Sequence, residues 1–382
     1  MARLILTTAG TAVARAFDKD PVYSRIKGRP LTVLEELKSE IAELKSRLLR
    51  RLKELDLDTK AGLDSSSAEI KSLKKIGVSG ADRVILLATD TADGKLCADV
   101  VADFISVAWG CHTTVEVIPG LQVKDAHLFE REGIKNYLKK LISYIEDPNN
   151  RYGYEIIINP TGGFKSVVPY TTILAMVFQI PSKYVFEFSD ELLTLPPIPL
   201  DFNFSLVEKH VSKFERIYEE SYIPDRDFWE GVPYEERGRY EPFLEHEGGH
   251  VTLSSIGLIV FEGYRAKNPP PIPTTVQRPD AKDGLKDDGS EPHRTKAFLS
   301  FRDKLKEHPH ADYFRYKRPA HPKEKKVAVI SHKVLEATYE GIVVEIQTTA
   351  THPKHNETIK DEMRSLMDLG WEGLHRREEG LR

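Results

Sequence analysis

The stretch Tyr154–Pro169, YEIIINPTGGFKSVVP, decides the fold. Its first residues, Tyr154–Ile158, form a short apolar, β-branched run that predicts a buried strand. The dipeptide Asn159-Pro160 ends a strand, and the apolar run Val167–Ile180 after the two glycines predicts a helix. A strand, a Gly-Gly turn and a helix N-terminus bring backbone N–H groups and the positive end of a helix dipole to one place. With the cation of Lys165 beside them, these groups predict a site for a phosphate-bearing ligand.

The same stretch is also compatible with a plain tight turn, which is the usual meaning of a bare Gly-Gly pair. The Asn, Thr and Lys residues around the glycines favour the ligand site. The phosphate-binding motif GxxxxGK[ST] is absent, and no GxGxxG follows a predicted strand. ATP and NAD are therefore poorly supported as the ligand.

Strands and helices alternate through the N-terminal half of the chain. Strands are predicted at Arg3–Thr8, Arg83–Ala88, Thr113–Ile118, Tyr154–Ile158 and Lys183–Phe188. This alternation predicts an α/β domain with a mostly parallel, doubly wound sheet. Leu195–Pro199 (LPPIP) then breaks the pattern and closes the domain.

Loops rich in Thr, Gly, Asp and Lys follow three of these strands. Ligands of doubly wound folds bind at the carboxyl ends of the strands, so we expect the three loops to converge on one site. The candidate ligand-binding residues are Thr8, Ala9, Gly10, Thr11, Thr89, Asp90, Lys95, Asn159, Thr161, Gly162, Gly163, Phe164 and Lys165. For the first loop alone, a connection without function is an equally good interpretation.

Leucine and isoleucine residues step by three or four positions from Leu34 to Leu55. This spacing predicts one long amphipathic helix, whose charged face interleaves Glu and Lys. Packing onto the domain is the more usual role of such a helix, and a dimer seam is the alternative.

The totals of the sequence limit the class of protein. A chain of 382 residues is expected to hold two or three domains. The net charge is −4, but residues 291–360 carry about +5 and residues 1–290 about −7. The same basic segment holds seven of the 13 histidines. This asymmetry predicts that the C-terminal segment meets a polyanion.

Cysteine usage and hydropathy bear on the compartment. Only Cys97 and Cys111 are present, without a CxxC motif, which argues against a disulfide framework or a cysteine zinc site. No signal peptide is visible, and no apolar run reaches about 18 residues. We therefore expect a cytoplasmic protein without a membrane span.

Residues 206–267 have the pattern of a winged helix. A helix end, a Gly-Gly turn, a Val-Thr-Leu strand and a helix start follow one another in Tyr240–Tyr264. The segment is acidic and would repel nucleic-acid phosphates, so a connector or protein-binding module is favoured. His246–His250 matches HExxH, but two adjacent glycines and an adjoining predicted strand oppose the helix that this zinc motif needs.

Residues 268–292 are rich in Pro and then in Gly and Asp, which predicts an interdomain linker. Residues 293–382 follow as a compact α+β domain. Its predicted elements are Lys296–Glu307, Asp312–Lys317, Lys326–Ile330, Val334–Tyr339, Ile342–Gln347 and Glu357–Leu369. Aromatic residues interleave with Lys, Arg and His here, as is typical of a single-stranded RNA site. A merely solvated basic face is the alternative.

RNA cleavage without a metal needs an acid, a base and cations around the scissile phosphate. Histidine supplies the acid and the base near neutral pH. The candidate catalytic residues are Arg315, Lys317, Arg318, His332, Lys333, His352 and His355. No Asp/Glu cluster for two metal ions is apparent in this segment, so no metal is expected.

Three segments of the N-terminal half resemble the CARF domains of CRISPR type III ancillary effectors. They are LILTTAGT at Leu4–Thr11, VILLATDTADGK at Val84–Lys95 and, as the most specific, IIINPTGGFKS at Ile156–Ser166. The resemblance implies a Rossmann-like, doubly wound CARF domain over residues 1–205 that dimerises and binds a cyclic oligoadenylate over the strand ends. Its two-fold groove favours cyclic tetra-adenylate as the activator. Some members cut their ligand slowly, for which Thr11 would be the residue to suspect.

The whole layout resembles the CARF–RelE fusions, in which a winged helix and a small basic α+β domain follow the CARF domain. These are CRISPR-associated mRNA interferases that cleave messenger RNA on the ribosome and can be captured by the ribosomal stalk protein. The likeness rests on size, charge and element order rather than on a catalytic motif. It implies a cytoplasmic homodimer in which cyclic oligoadenylate activates mRNA cleavage without a catalytic cofactor.

Two other functions stay open. A CARF–HEPN ribonuclease would cut free RNA, and its Arg-x4–6-His signature occurs at Arg302–His308 and at Arg315–His321. The strand-like pattern of Val327–Gln347 disfavours that all-helical domain. A ligand-responsive transcription factor would signal through the winged helix, but the acidic composition of that segment and the additional basic domain count against it.

Overall fold

A computed structural model describes residues 2–122, 125–163, 165–185, 191–198, 202–284 and 295–378, without the side chains at 353 and 368–378. Contacts divide the chain into two compact units. The first unit consists of Met1–Ile145 and Tyr154–Lys267, and the second of Glu146–Gly153 and Asn268–Arg382. The predicted segments 1–205 and 206–267 thus share the first unit, apart from residues 146–153. The predicted linker 268–292 is described only as far as residue 284.

Strands and helices are numbered along the whole chain. The strands are β1 (Arg3–Ala9), β2 (Arg83–Thr89), β3 (His112–Ile118), β4 (Glu155–Asn159), β5 (Ser182–Val185), β6 (Leu192–Leu195), β7 (Ile223–Pro224), β8 (Leu244–Glu247), β9 (His250–Leu253), β10 (Ala311–Pro319), β11 (Lys326–Ser331), β12 (Val334–Tyr339) and β13 (Ile342–Thr348). The α-helices are α1 (Pro21–Ile26), α2 (Val33–Glu36), α3 (Lys38–Lys53), α4 (Lys60–Ser65), α5 (Ala68–Ile76), α6 (Ala92–Trp109), α7 (Ala126–Leu128), α8 (Ile134–Glu146), α9 (Pro148–Gly153), α10 (Val168–Val177), α11 (Ser205–Lys209), α12 (Val211–Glu220), α13 (Asp225–Trp229), α14 (Tyr234–Arg237), α15 (Ser255–Lys267), α16 (Pro279–Lys282), α17 (Lys296–Glu307) and α18 (Pro353–Glu378). Short 3-10 helices occupy Ala12–Phe17, Lys165–Val167 and Glu241–Phe243, and a π-helical turn occupies Phe129–Gly133.

The main sheet of the first unit has the strand order β3-β2-β1-β4-β5-β6. Strand β1 pairs in parallel with both β2 and β4, and only the edge strand β6 runs antiparallel. Residues of β1 alternate between the two faces, so that Ile5 joins one helix-covered core while Leu4 and Leu6 join the other. The predicted α/β class with a mostly parallel sheet is confirmed.

The chain winds outward from β1 to β3 on one side and from β4 to β6 on the other. This reversal makes the gap between β1 and β4 the topological switch point, where the loops after two neighbouring strands diverge and leave a crevice. Two of the predicted ligand loops follow these two strands, and the third follows β2, next to β1. The topology therefore brings all three loops to the same edge of the sheet.

The predicted helix Leu34–Leu55 is two helices, α2 and α3, separated at Leu37. Leu44, Leu48 and Leu52 of α3 are buried in the core against one face of the sheet. The prediction of one continuous helix was wrong because the apolar spacing is the same whether the helix is continuous or breaks between two turns. The interpretation of this segment as packing onto the domain agrees with the burial.

A second, antiparallel sheet of the first unit has the order β7-β9-β8. His246 lies on β8 and His250 on β9, with Gly248 and Gly249 at the hairpin turn with φ of +55° and +77°. The His246 ring bonds to Asp225 (2.7 Å) and Glu241 (3.1 Å). The HExxH match thus lies in a hairpin and does not present two histidines on one helical face.

The second unit contains an antiparallel sheet with the order β10-β13-β12-β11. Apolar residues of α17, α18 and one sheet face form its core, which includes Phe301, Phe314, Ile346 and Met363. The six elements predicted for this segment are all present, two of them with the predicted ends and four with shifted ends. Helix α9, from the stretch between α8 and β4, packs against β11 in this unit.

In the part of the chain that the structure describes, no helix is both long and apolar enough to cross a bilayer.

Candidate functional site

A large pocket opens in the first unit at the carboxyl ends of β1, β2 and β4. Its volume is about 1670 Å³, above the roughly 300–1,000 Å³ of common small-molecule sites. Six of the candidate ligand-binding residues line it: Gly10, Thr11, Thr89, Thr161, Gly163 and Lys165. Phe164 lies outside the described residues. The convergence of the three loops is therefore a property of the structure.

The candidates Thr8, Ala9, Asn159 and Gly162 lie behind this pocket. Asn159 is fully buried, and its Nδ2 donates to Thr7 Oγ1 (3.0 Å) and to Ser72 Oγ (2.8 Å). Its Oδ1 accepts a hydrogen bond from Thr161 Oγ1 at 2.6 Å. Thr8 Oγ1 donates to the carbonyl of Gly162. These contacts position the two loops at the switch point and leave Thr161 at the pocket wall.

The candidates Asp90 and Lys95 have structural partners. Asp90 Oδ2 accepts from the backbone N–H of Gly120 at 3.1 Å, which ties the loop after β2 to the loop after β3. Lys95 forms an ion pair with Asp99 one helical turn further on, at 2.6 Å. Neither side chain lines the pocket.

Glycines allow the loops after β1 and β4 to approach closely. A Cβ on Gly10 would lie 2.8 Å from the backbone nitrogen of Gly163, and Gly163 itself has φ of +74°. A larger residue at either Gly10 or Gly163 would push the two loops apart. The Gly-Gly pair is therefore explained by the approach of two backbones as well as by the turn.

Glu69 was missed by the sequence reasoning. It lies in the first turn of α5, is 1% exposed, lines the pocket, and its Oε1 accepts from the backbone N–H of Gly10 at 2.7 Å. Ser67 caps α5 by accepting from the N–H of Ile70 at 3.2 Å. The serine run ahead of an apolar-periodic stretch was a signal for this helix N-terminus, but nothing local indicated that Glu69 faces β1.

Helix N-termini and basic side chains place positive potential in the wall of the pocket. The N-cap residues of α5 and α6, Ser67 and Thr91, line the wall, as does Val168 at the start of α10. The basic lining residues are Arg15, Lys27, Arg51, Lys71 and Lys165, and the acidic ones are Asp18, Asp64, Glu69 and Asp93. Lys71 pairs with Asp64 at 2.5 Å, and Lys27 pairs with Asp18. The helix starts and the basic side chains are compatible with a ligand that carries several phosphates.

In the second unit, the candidates Arg315, Lys317 and Arg318 lie on the exposed strand β10. Arg315 pairs with Glu345 at 2.6 Å, and Lys317 pairs with Glu336, which raises the pKa of the Lys317 ammonium group. Glu345 stands opposite both Arg315 and Glu336 in the strand register, so the carboxylates share the face of the cations. The sequence reasoning counted only the cations of this face.

Five of the histidines of the second unit, His308, His310, His332, His352 and His355, lie at one end of the sheet. The backbone N–H of Thr348, at the end of β13, donates to Lys333 at the β11–β12 turn (2.8 Å). The N–H of Thr349 donates to the carbonyl of His310, just before β10 (3.2 Å). The candidates His332, Lys333, His352 and His355 therefore lie at the end of the sheet where β10 begins, together with His308 and His310.

His308, His310 and Glu362 form a cluster that the sequence reasoning did not select. Their ligand-type atoms lie within 4.8 Å of one another, and His310 Nδ1 lies 2.9 Å from Glu362 Oε2. Burial lowers the pKa of His308, against the opposing effect of Glu362. The N–H of His310 donates to His308 Nδ1 at 3.2 Å, so the neutral His308 ring carries its proton on Nε2, 3.5 Å from Glu362. The cluster thus brings two imidazole rings and one carboxylate within reach of a common proton or ion.

The three candidate histidines at this end differ in their surroundings. His352 Nε2 lies 3.5 Å from Glu146, the residue that begins the 146–153 segment. His332 has a buried Nδ1 without a hydrogen-bond partner among the described residues, and burial lowers its pKa. His355 is 2% exposed, and its two nitrogens bond to the backbone of Pro270 (2.8 Å) and Thr351 (3.2 Å). That position is typical of a structural histidine.

Comparison with known proteins adds one finding. No curated protein matches the chain. A family model does match, over residues 64–198, about a third of the chain. The matched range includes α5 with Glu69 and the loops after β2 and β4, and it ends just beyond β6. Over these pocket-forming elements the chain is similar to a CRISPR-associated protein family, Cas_APE2256.

Proposed function

We propose that this protein is a sensor and effector of CRISPR type III defence. In this proposal the first unit binds a cyclic oligoadenylate, with cyclic tetra-adenylate as the activator. The second unit is a ribonuclease that cleaves mRNA on the ribosome without a metal and so stops translation. One observation carries the proposal: a large pocket lies at the switch point of a doubly wound sheet, and part of its lining belongs to the stretch that is similar to a CRISPR-associated family.

The size and polarity of the pocket support an oligonucleotide as the ligand. Its volume of about 1670 Å³ exceeds the need of a mononucleotide. Three helix starts and a lysine after the Gly-Gly turn offer positive potential at several points, as a ligand with several phosphates requires. A ring with two-fold symmetry is most simply bound by a homodimer that places two such pockets around it.

The remaining elements support the CARF–RelE interpretation. In the first unit, α12, β7, α13, α14, β8 and β9 follow one another in the order of a winged helix, and β9 lies between β7 and β8. In the second unit, a helix, four antiparallel strands and a helix form the small α+β domain expected of a RelE-like nuclease. The sheet of the second unit disfavours a HEPN domain, which is all-helical.

The histidine end of the second unit supports cleavage by attack of the RNA's own 2′-oxygen. The base removes the 2′-OH proton, the oxygen attacks phosphorus, and the acid protonates the departing 5′-oxygen. A histidine whose Nδ1–H is held by a carboxylate presents Nε2 as a base, which is the arrangement of His310 with Glu362. His352 beside Glu146 is a second candidate for one of the two roles. Arg315, Lys317 and Lys333 are candidates for contacting phosphates.

The proposed partners are mRNA and the ribosome, with the ribosomal stalk protein as a further candidate. The test is RNA cleavage in EDTA, with and without cyclic tetra-adenylate, on free RNA and on translating ribosomes. We expect cleavage only when ligand and ribosome are both present. Ligand-dependent cleavage of free RNA would instead favour a HEPN-type activity. Absence of cleavage in every condition would favour a ligand-responsive transcription regulator that acts through the winged helix.

A further inference from the structure

Glu69 lines the pocket and has a buried carboxylate oxygen without a hydrogen-bond partner among the described residues. Its Oε1 accepts from the backbone N–H of Gly10 at 2.7 Å. Its Oε2 is buried and has no hydrogen-bond partner among the described residues. The residue is 1% exposed and lines the pocket. An ionised carboxylate only accepts hydrogen bonds, so this oxygen calls for a donor.

The surrounding backbone holds the carboxylate in place. A Cβ on Gly162 would lie 2.2 Å from Glu69 Oε1, so the loop after β4 passes directly over this group. Gly10 approaches from the loop after β1 and is itself in close contact with Gly163. Glu69 therefore lies between the two loops of the switch point.

A carboxylate at this point selects against some ligand groups and for others. It repels a phosphate, although the helix starts around it attract one. The ligand group that reaches Glu69 must therefore be a neutral or cationic hydrogen-bond donor. In an oligoadenylate, the available donors are the ribose 2′-OH and the 6-amino group of adenine.

We propose that Glu69 is a specificity-determining residue of this pocket, which accepts a hydrogen bond from a donor group of the bound oligonucleotide. A site built around such an acceptor rejects an analogue that lacks the donor, because the buried oxygen is then left unpaired. The inference rests on the proposed function, since it names how the same pocket recognises its ligand. The ribose 2′-OH and the adenine 6-amino group are both hydrogen-bond donors. Ligand analogues that lack one or the other group distinguish between them.

A purely structural role for Glu69 makes a different prediction. In that case only the hydrogen bond that the Gly10 N–H donates to Oε1 matters, and the isosteric change Glu69→Gln preserves it. Glu69→Gln keeps the carbonyl acceptor for Gly10 but places an NH₂ group where Oε2 was. Glu69→Ala removes both, so this variant reports on the support of the loop after β1.

The experiment measures binding of three ligands to the full-length wild type and to Glu69→Gln by calorimetry. The ligands are cyclic tetra-adenylate, the same ring with 2′-fluoro riboses, and the same ring with purine in place of adenine. We expect the wild type to bind one of the two analogues at least about tenfold more weakly than the natural ring. We expect Glu69→Gln to bind the natural ring about tenfold more weakly and to show no further loss for that analogue.

Glu116→Gln is the matched control, because Glu116 is a part-buried carboxylate of the same unit that bonds to Tyr144 and Lys140 outside the pocket. We expect it to bind all three rings as the wild type does. Equal binding of the natural ring by wild type and Glu69→Gln would overturn the inference alone. The inference would also be overturned if Glu69→Gln bound all three rings more weakly than the wild type by the same factor. A folded wild type that binds no ring at all would overturn the proposed function and this inference with it.

Discussion

Lys165 lines the pocket two residues after Gly163, at the start of the helical segment that leads into α10. Changing Lys165 to Ala should weaken binding of cyclic tetra-adenylate by about tenfold, because one cation near the phosphates is lost. Titration calorimetry of the full chain measures this. Lys140→Ala, which removes a lysine paired with Glu116 outside the pocket, is the control. An unchanged affinity of Lys165→Ala for cyclic tetra-adenylate would show that this lysine does not contribute to ligand binding.

Buried histidines make the second unit sensitive to acid. Burial lowers the pKa of His308, His332 and His355 below the ordinary value of 6.5. The unfolded chain therefore binds more protons than the folded one as the pH falls through 6.5, and the free energy of unfolding decreases. The contribution of these neutral histidines to the free energy of unfolding is fully present above pH 6.5 and is lost as the pH falls below it.

His308→Gln keeps a polar side chain that does not titrate. We expect thermal unfolding between pH 7.5 and pH 5 to show a smaller decrease in Tm for this variant than for the wild type. His321→Gln, at an exposed position before β11, is the control and should retain the full decrease. Identical pH profiles for His308→Gln and the wild type would contradict the role assigned to His308.

The close approach of the loops after β1 and β4 depends on Gly10. Gly10→Ala places a methyl group 2.8 Å from a backbone nitrogen of the opposite loop. We expect a loss of about 1–3 kcal/mol in the free energy of unfolding, together with weaker binding of cyclic tetra-adenylate. Urea unfolding measures the first effect. Gly238→Ala, where a Cβ meets nothing within 4 Å, should be close to neutral.

Most elements could be predicted from the sequence because their signals are local. The β-branched run before Asn159-Pro160 became β4, and the apolar periodicity of Lys296–Glu307 became α17 with the same ends. The loops after β1 and β4 could be placed together because parallel strands share an edge at their carboxyl ends.

The missed contacts join positions that are distant in the chain. Glu69 reaches Gly10 across 59 positions, and Arg315 meets Glu345 across 30. No periodicity or motif specifies such pairs, because they depend on strand register and on the path of the intervening chain. For the same reason His310 and Glu362 were not selected, although each was visible as a residue type.

Under the proposed function, ligand binding belongs to the first unit and RNA cleavage to the second. His352→Gln should therefore abolish cleavage on the ribosome while cyclic tetra-adenylate binds with unchanged affinity. Cleavage assays and calorimetry on the same preparation measure the two effects. His321→Gln again serves as the folded control with cleavage retained. Loss of both activities from a folded His352→Gln protein would contradict the assignment of the two activities to two units.

The second unit is discontinuous in the chain, since residues 146–153 lie between α8 and β4 of the first. A shortened chain that begins at Asn268 would lack α9 and the Glu146 carboxylate, and would leave part of β11 and the His352 ring without their neighbours. We expect such a fragment to melt at a lower temperature than the same unit within the full chain. A fusion junction placed at residue 268 would therefore not carry the whole second unit to another protein, because residues 146–153 would stay behind.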